Sequence, residues 1–182
     1  MKIILASASP RRRELLSSIY DEFSIEKPDC DEKTLNNPVK TVKYLAKLKA
    51  DAIDPHYDVL ISADTIVVYK GKILGKPSNR DDAFHMLKSL RGVTHKVYTG
   101  VCIKYKTDTL RYDVFSVKSK VKLKKMSDDD IGKYIDTGSP FDKAGAYGIQ
   151  DGVVDNYTGS YTNIVGLPTE KLLKRLKRHN LV

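Results

Sequence analysis

The sequence predicts an α/β fold on a mixed sheet, formed as one domain over residues 1–182. Three observations predict it. β-Branched and aliphatic runs alternate with segments whose apolar residues recur at helical spacing, the pattern of strands joined through packed helices. A long hairpin pattern then interrupts the alternation, which adds antiparallel strands to a parallel start. The length of 182 residues suffices for one full core and falls short of two ordinary domains.

Taken in order, Ile3–Leu5 reads as a short buried strand and Ser7-Ala8-Ser9 as a tight loop. Ser9-Pro10 opens a helix, with Ser as N-cap and Pro at the first helical position, running to about Ile19 with Leu15, Leu16 and Ile19 inward. Phe23–Lys27 is a second strand, and Pro28–Asn37 an acidic loop holding Asp29, Asp31 and Glu32. Pro38 to about Ile53 carries a stripe of Val42, Leu45 and Leu48, and Asp54-Pro55 stops it. Val59–Val68 is the longest apolar run, a central strand that turns at Tyr69–Lys72 into Ile73-Leu74. A helix follows at about Arg80–Leu90. Two long strands, about His95–Tyr105 and Leu110–Leu123, form the hairpin. Ser127 caps a helix over Asp128–Asp136, whose acidic first turn suits the helix dipole. Thr137–Ile149 is too rich in glycine for a helix and too long for a mere linker. Tyr157–Val165 reads as a last short strand or loop, and Pro168 starts a terminal helix.

Hydrophobic residues make up 41% and charged residues 30%, the balance of a globular protein. No apolar run approaches the roughly 20 residues of a membrane span. Ile3–Ala6 is well short of the apolar core of about 7–15 residues that a secretion signal needs. Two cysteines, Cys30 and Cys102, suit a reducing cytoplasm better than a disulfide scaffold or zinc site. The net charge of +9 permits polyanion binding without requiring it. Lys118, Lys120, Lys122 and Lys124 alternate with Val117, Val121 and Leu123, the solvent face of a strand. No aromatic residues interleave with these lysines, so nucleic acid is not the expected partner.

Two features ask for chemistry. Asp64 sits inside the longest apolar run, and a carboxylate withdrawn from water needs a cation, a metal, a hydrogen-bond network or a cleft. The alternative is an acid at a bulge or strand end, capping nearby backbone. Arg11, Arg12 and Arg13 crowd the first turn of a helix, where the dipole disfavours cations. With exposed N–H groups and serine hydroxyls they can form a phosphate cradle; otherwise they are surface arginines. More polar residues fall at element ends: Ser7, Ser9, Glu32, Lys49, Thr65, Lys76 and the segment Asp142–Gln150. Cations that hold oxygens and carboxylates that hold a metal or activate water are the chemistry of phosphate esters. His95 reads as a hydrogen-bonding residue at a strand start, and Tyr147 and Tyr161 as packing residues.

These residues fall within motifs: S-A-S-P-R-R at Ser7–Arg12, S-A-D-T at Ser62–Thr65, G-K-P at Gly75–Pro77, H-K-V-Y-T-G at His95–Gly100, D-K-A-G-A-Y-G-I-Q at Asp142–Gln150, and G-S-Y-T-N-I-V-G-L-P at Gly159–Pro168. In this order, over nearly the whole chain, they resemble the Maf family of nucleoside triphosphate pyrophosphatases. The resemblance implies an elongated mixed-sheet fold similar to inosine triphosphate pyrophosphatases, with a cleft between two lobes. It implies hydrolysis between the α and β phosphates, with a divalent cation such as Mg²⁺ or Mn²⁺. The S-P-R-R, A-D-T and G-I-Q versions resemble the branch that accepts dTTP and UTP rather than the one preferring 7-methyl-GTP. Asp64 matches the proton acceptor. Arg12, Thr65 and Gln150 match positions tied to substrate choice, and Glu32, Lys49 and Lys76 match other cleft residues. On this reading Asp64 and Glu32 share the metal, and whether Asp64 is base, ligand or both stays open. Arg11, Arg12 and the loop of Ser7 cradle the triphosphate, while Lys49 and Lys76 offset charge on departing pyrophosphate. Gln150 offers a donor and an acceptor to the edge of uracil or thymine. Asp151–Asp155 departs from the expected glycine-rich follow-on. A homodimer is the family expectation. The alternatives are action on modified pyrimidine triphosphates, or a regulatory nucleotide- or nucleic-acid-binding role in cell division.

Overall fold

The computed structural model describes all of residues 1–182. The chain runs through β1 (Ile3–Ala6), α1 (Pro10–Leu16), β2 (Ser24–Glu26), α2 (Pro38–Asp51), β3 (Val59–Tyr69), β4 (Lys72–Leu74) and α3 (Arg80–Leu90). It continues through β5 (Thr94–Lys106), β6 (Leu110–Leu123) and α4 (Asp128–Asp136) to three short 3₁₀ turns between Ser139 and Asp151. β7 (Val154–Thr158), α5 (Tyr161–Val165) and α6 (Thr169–Arg178) finish it. The strands form one open sheet in the order β2-β1-β3-β5-β6-β7, with β4 paired to the far end of β3. β1 is parallel to β2 and β3, and the remaining pairs are antiparallel. The mixed α/β reading therefore holds. No helix is long and apolar enough to cross a membrane.

Three boundaries differ from expectation. α1 stops at Leu16 rather than near Ile19, because the Ser17 and Ser18 hydroxyls donate to the carbonyls of Glu14 and Leu15, an alternative to helix continuation. The second strand shrinks to three residues, Ser24–Glu26. Tyr157–Val165 is not one strand or loop. Its start closes β7, and Tyr161–Val165 is helical, because Ser160 caps the backbone N–H of Asn163 and turns that side chain into the sheet. Tyr161 is also 40% exposed, beside Tyr157, rather than packed.

The long strands cross two apolar cores. One joins Val59, Ile61 and Ala63 of β3 and Val101 and Ile103 of β5 to Leu16 of α1 and Leu172 and Leu176 of α6. The other joins Val67 of β3, Val97 of β5 and Val121 and Leu123 of β6 to α3, α4 and Tyr147. Each fully buried leucine contributes about 1.5–3 kcal/mol, so both cores are substantial. On the opposite sheet face α2 packs Ala46 and Ala50 against Ile4, Leu60 and Cys102. α2 lies very close to the sheet at Gly100. A Cβ there would stand 2.1 Å from the Val42 carbonyl oxygen.

Candidate active site

The cleft opens where the sheet has a gap. β1 pairs with β3 only as far as Ser62, and β4 joins β3 only from Val67. Ala63, Asp64, Thr65 and Ile66 thus have no strand neighbour on that edge, at the boundary between the two cores. The carboxyl end of a parallel strand, followed by a helix N-terminus, is where open α/β sheets collect ligands. Successive side chains of β3 point to opposite faces. Asp64 turns toward α2 and Thr65 toward α1 and α5, yet both border the gap.

The cleft encloses about 590 Å³, within the range of small-molecule sites. Arg11, Arg12, Lys49, Lys76 and Lys143 line it, against Glu32, Asp64 and Asp142. Cations are in excess, as a polyanionic ligand requires.

Lys49 stands seven residues after Val42 and four after Leu45, on the face of α2 that meets the sheet. Its Nζ lies 2.6 Å from Asp64 Oδ1 and 3.0 Å from a Glu32 carboxylate oxygen. Asp64 is 7% exposed, so this ion pair answers the burial of its charge. Its Oδ2 accepts no hydrogen bond from the protein. Glu32, from the acidic loop, keeps half its side chain in solvent.

Arg12 is a staple as much as a ligand. Its Nε donates to the Gly166 carbonyl (2.9 Å), one terminal nitrogen to the Ala63 carbonyl (2.7 Å) and Ser7 Oγ (3.4 Å), the other to Thr65 Oγ1 (3.1 Å). Four of its five N–H groups are engaged, and one is left for a ligand. The Ala63 carbonyl belongs to the open edge of β3, so Arg12 satisfies backbone that no strand reaches. Burial lowers the Arg12 pKa from its ordinary value, and the Asp64 charge opposes that shift. Ser7 lies behind Arg12 and out of the cleft wall, where its hydroxyl oxygen accepts from Arg12 and the Ser9 N–H.

A buried polar chain fixes the Thr65 hydroxyl. Thr99 Oγ1 donates to the Asn163 carbonyl at 2.9 Å, so it has only lone pairs left for Thr65 Oγ1, also 2.9 Å away. Thr65 therefore donates to Thr99 and accepts from Arg12. Asn163 is itself held by Ser119 Oγ, 2.9 Å from its Nδ2.

The third wall comes from the segment after α4. Arg11 donates to Asp142 Oδ2 at 2.8 Å, and Lys143 Nζ lies 2.8 Å from Asp142 Oδ1 and 2.6 Å from the Ser139 carbonyl. Burial pushes the Asp142 pKa up, but hydrogen bonds from Lys143 and Arg11 outweigh it and hold the carboxyl below its ordinary range. Gly145 runs at φ +70° against β3, where a Cβ would meet Val67 at 2.9 Å. Its N–H donates to the Gly75 carbonyl, which seats this segment beside the exit of β4. Asp151, where the sequence departs from the family pattern, accepts from Tyr134 and Ser139 and turns the chain into β7. Lys76 and Gln150 are exposed along the cleft. His95 is buried and hydrogen-bonded at 2.6 Å to the Tyr147 hydroxyl, with no place in the cleft wall.

Of the residues singled out in the sequence, Arg11, Arg12, Glu32, Lys49, Asp64, Thr65, Lys76 and Gln150 all border one cleft. Individual roles for Asp142, Lys143, Thr99 and Asn163 were missed. Their motifs were visible, but pairing over separations such as the 131 residues from Arg11 to Asp142 leaves no local pattern.

The model of the family described as Maf-like protein matches residues 2–179. The chain belongs to the Maf family. Among curated relatives, the dTTP/UTP pyrophosphatase of Caldanaerobacter subterraneus subsp. tengcongensis is 46% identical over 98% of this chain and 89% of its own. Those of Flavobacterium psychrophilum and Clostridium perfringens (strain 13 / Type A) are 43% and 42% identical, over 98% and 100% of this chain and 94% and 98% of theirs. Among solved structures, the nucleoside-triphosphatase / dITP/XTP pyrophosphatase of Mycobacterium abscessus is similar at a TM-score of 0.41 and 12% identity, over 69% of this chain and 76% of that one.

Proposed function

We propose that this Maf-family chain hydrolyses nucleoside triphosphates, dTTP and UTP foremost, between the α and β phosphates, releasing the monophosphate and pyrophosphate. The observation that carries the reading is the buried Asp64 at the open edge of β3, with one oxygen on Lys49 and the other free of protein donors in a cation-rich cleft. Near-full-length relatives named dTTP/UTP pyrophosphatase support the substrate.

In this reading Asp64 Oδ2 takes the proton of a water aimed at the α-phosphorus. Lys49 keeps Asp64 in place through Oδ1. Arg11, Lys76 and the last N–H of Arg12 hold phosphate oxygens, and Lys76, which pairs with no carboxylate, is free to follow the charge that develops on pyrophosphate. Gln150 beside Ile149 and Tyr147 gives a polar group at an apolar wall, suited to the edge of a pyrimidine. Thr65 has its proton committed to Thr99, so it acts by orienting Arg12.

A divalent cation fits the donor chemistry. Glu32 and Asp64 converge on one point, the Lys49 ammonium, and offer the oxygen ligands that Mg²⁺ and Mn²⁺ take. No group of three or more His, Cys, Asp or Glu side chains is placed to hold a metal alone. Glu32 and Asp64 would therefore hold it together with substrate oxygens and water. When bound, it would supply neutralisation of phosphate charge. The reading includes a homodimer at work in the cytoplasm, and light scattering of the purified chain checks its mass.

The test is a panel of nucleoside triphosphates with Mg²⁺ and with Mn²⁺, scored for pyrophosphate release, beside Asp64→Asn. The wild type should turn over dTTP and UTP well above ATP and GTP. The variant should bind nucleotide and lose turnover by about 10²-fold or more, the usual scale of a general base. Wild-type turnover in Asp64→Asn would sink the assignment.

A further inference from the structure

Three of the cleft's five cations, Arg11, Lys49 and Lys143, already face carboxylates; Arg12 is held by carbonyls and hydroxyls, and Lys76 has no carboxylate partner. Asp142 stands apart from the other acids. Asp64 is buried on the central strand and Glu32 comes from the neighbouring loop, both on Lys49. Asp142 splits its oxygens between Arg11 and Lys143, and its backbone carbonyl lies 3.4 Å from the second Arg11 nitrogen. It joins the first turn of α1 to the wall carried by the second core, across the mouth of the cleft. Its side chain is 55% exposed, so it can swing into water when its cations are taken by something else. A carboxylate offers one charge and two oxygens; a polyphosphate offers several charges and three oxygens on its terminal group.

We propose that Asp142 is an internal stand-in for phosphate, occupying Arg11 and Lys143 in the free protein and setting how many phosphates a ligand must carry to displace it. The inference rests on the triphosphate reading of the cleft above. A triphosphate brings enough charge to evict Asp142. A monophosphate or pyrophosphate brings less, so Asp142 recloses on its cations and helps both products leave. Asp142 is thus a specificity-determining residue for phosphate-chain length, acting by competition rather than by touching the reacting atoms.

The experiment is calorimetric binding of inorganic tripolyphosphate and of pyrophosphate to wild type, Asp142→Asn and Asp142→Glu, with dTTP turnover measured on each. The wild type should favour tripolyphosphate. Asp142→Asn should bind pyrophosphate about threefold more tightly, the scale of one exposed ion pair, and lose part of that preference. Pyrophosphate should inhibit its dTTP turnover at correspondingly lower concentration. Asp142→Glu, which keeps the charge, should restore the wild-type ratio. Thermal melts identify folded variants, and Asp142→Ser repeats the neutral test if the amide does not hold the fold. A folded neutral variant that binds pyrophosphate no more tightly than wild type, while wild type binds tripolyphosphate and hydrolyses dTTP, overturns this inference alone. A wild type that binds neither polyphosphate and hydrolyses no nucleotide overturns the hydrolase reading and this one together.

Discussion

Gly100→Ala, one added methyl group on β5, should damage both the fold and the site. Gly100 is the cross-strand neighbour of Asp64, and α2 passes directly above it. The new Cβ would lie 2.1 Å from the Val42 carbonyl oxygen and 2.3 Å from its carbon. Carbon and oxygen come no closer than about 3.3 Å even in weak hydrogen bonds, so about 1.2 Å must be found. The obstacle is helix backbone, which cannot rotate aside as a flexible side chain would. α2 must lift, and with it Lys49, seven residues along the same face. The Lys49–Asp64 contact of 2.6 Å then opens. Overpacking of this kind costs about 1–3 kcal/mol, and a displacement near 1 Å in a catalytic array costs about 10²-fold in rate. Urea denaturation followed by circular dichroism reads the first loss, and pyrophosphate release from dTTP under saturating substrate reads the second. A variant with wild-type stability and wild-type kcat would refute the claim that close approach of α2 sets the Asp64 geometry.

Two other outcomes follow from buried polar groups. Thr99→Val keeps the volume but strips Thr65 of its acceptor and the Asn163 carbonyl of its donor; it should cost about 1–3 kcal/mol in denaturation and lower kcat/KM for dTTP, with unchanged kinetics counting against the polar chain. Burial holds His95 down to about 4 from its ordinary 6.5, so below pH 6.5 the unfolded chain takes a proton that the folded chain refuses. Stability should therefore fall by about 3 kcal/mol as pH drops from 7 through 4. His95→Gln should flatten that slope in urea titrations, and parallel profiles for the two proteins would contradict the account.

Much of this was legible because it is local. Ser9-Pro10, Asn37-Pro38 and Ser127 cap helices as their types suggest, and the Ser127–Asp130 capping box forms in full. Asp64 was conspicuous because a charge within an apolar run needs a partner. The partner itself was not readable: Lys49 is one of many lysines, and only the contact of α2 with β3 selects it. Tyr161–Val165 was misread because its aromatic and β-branched composition favours a strand, while a serine cap and a buried Asn163 decide for helix. Gly100 closed a recognisable motif, but nothing in the letters says that a helix backbone lies against it. Arg12 looked like a phosphate ligand, whereas its commitment to Ala63 follows from a gap in the sheet that only strand pairing reveals.

That gap has a mechanical side. β3, β5 and β6 each run unbroken from one apolar core into the other, so the two cores are joined by continuous strands rather than by a hinge loop. The cores are two loads on shared planks. Beside Ala63–Ile66, where neither β1 nor β4 reaches β3, the Arg12 side chain takes the place of the missing plank, fastening the Ala63 carbonyl and the Thr65 hydroxyl. Asp64 sits on that stretch, between Ala63 of one core and Val67 of the other, so a load on either core reaches the reacting position through a single continuous strand.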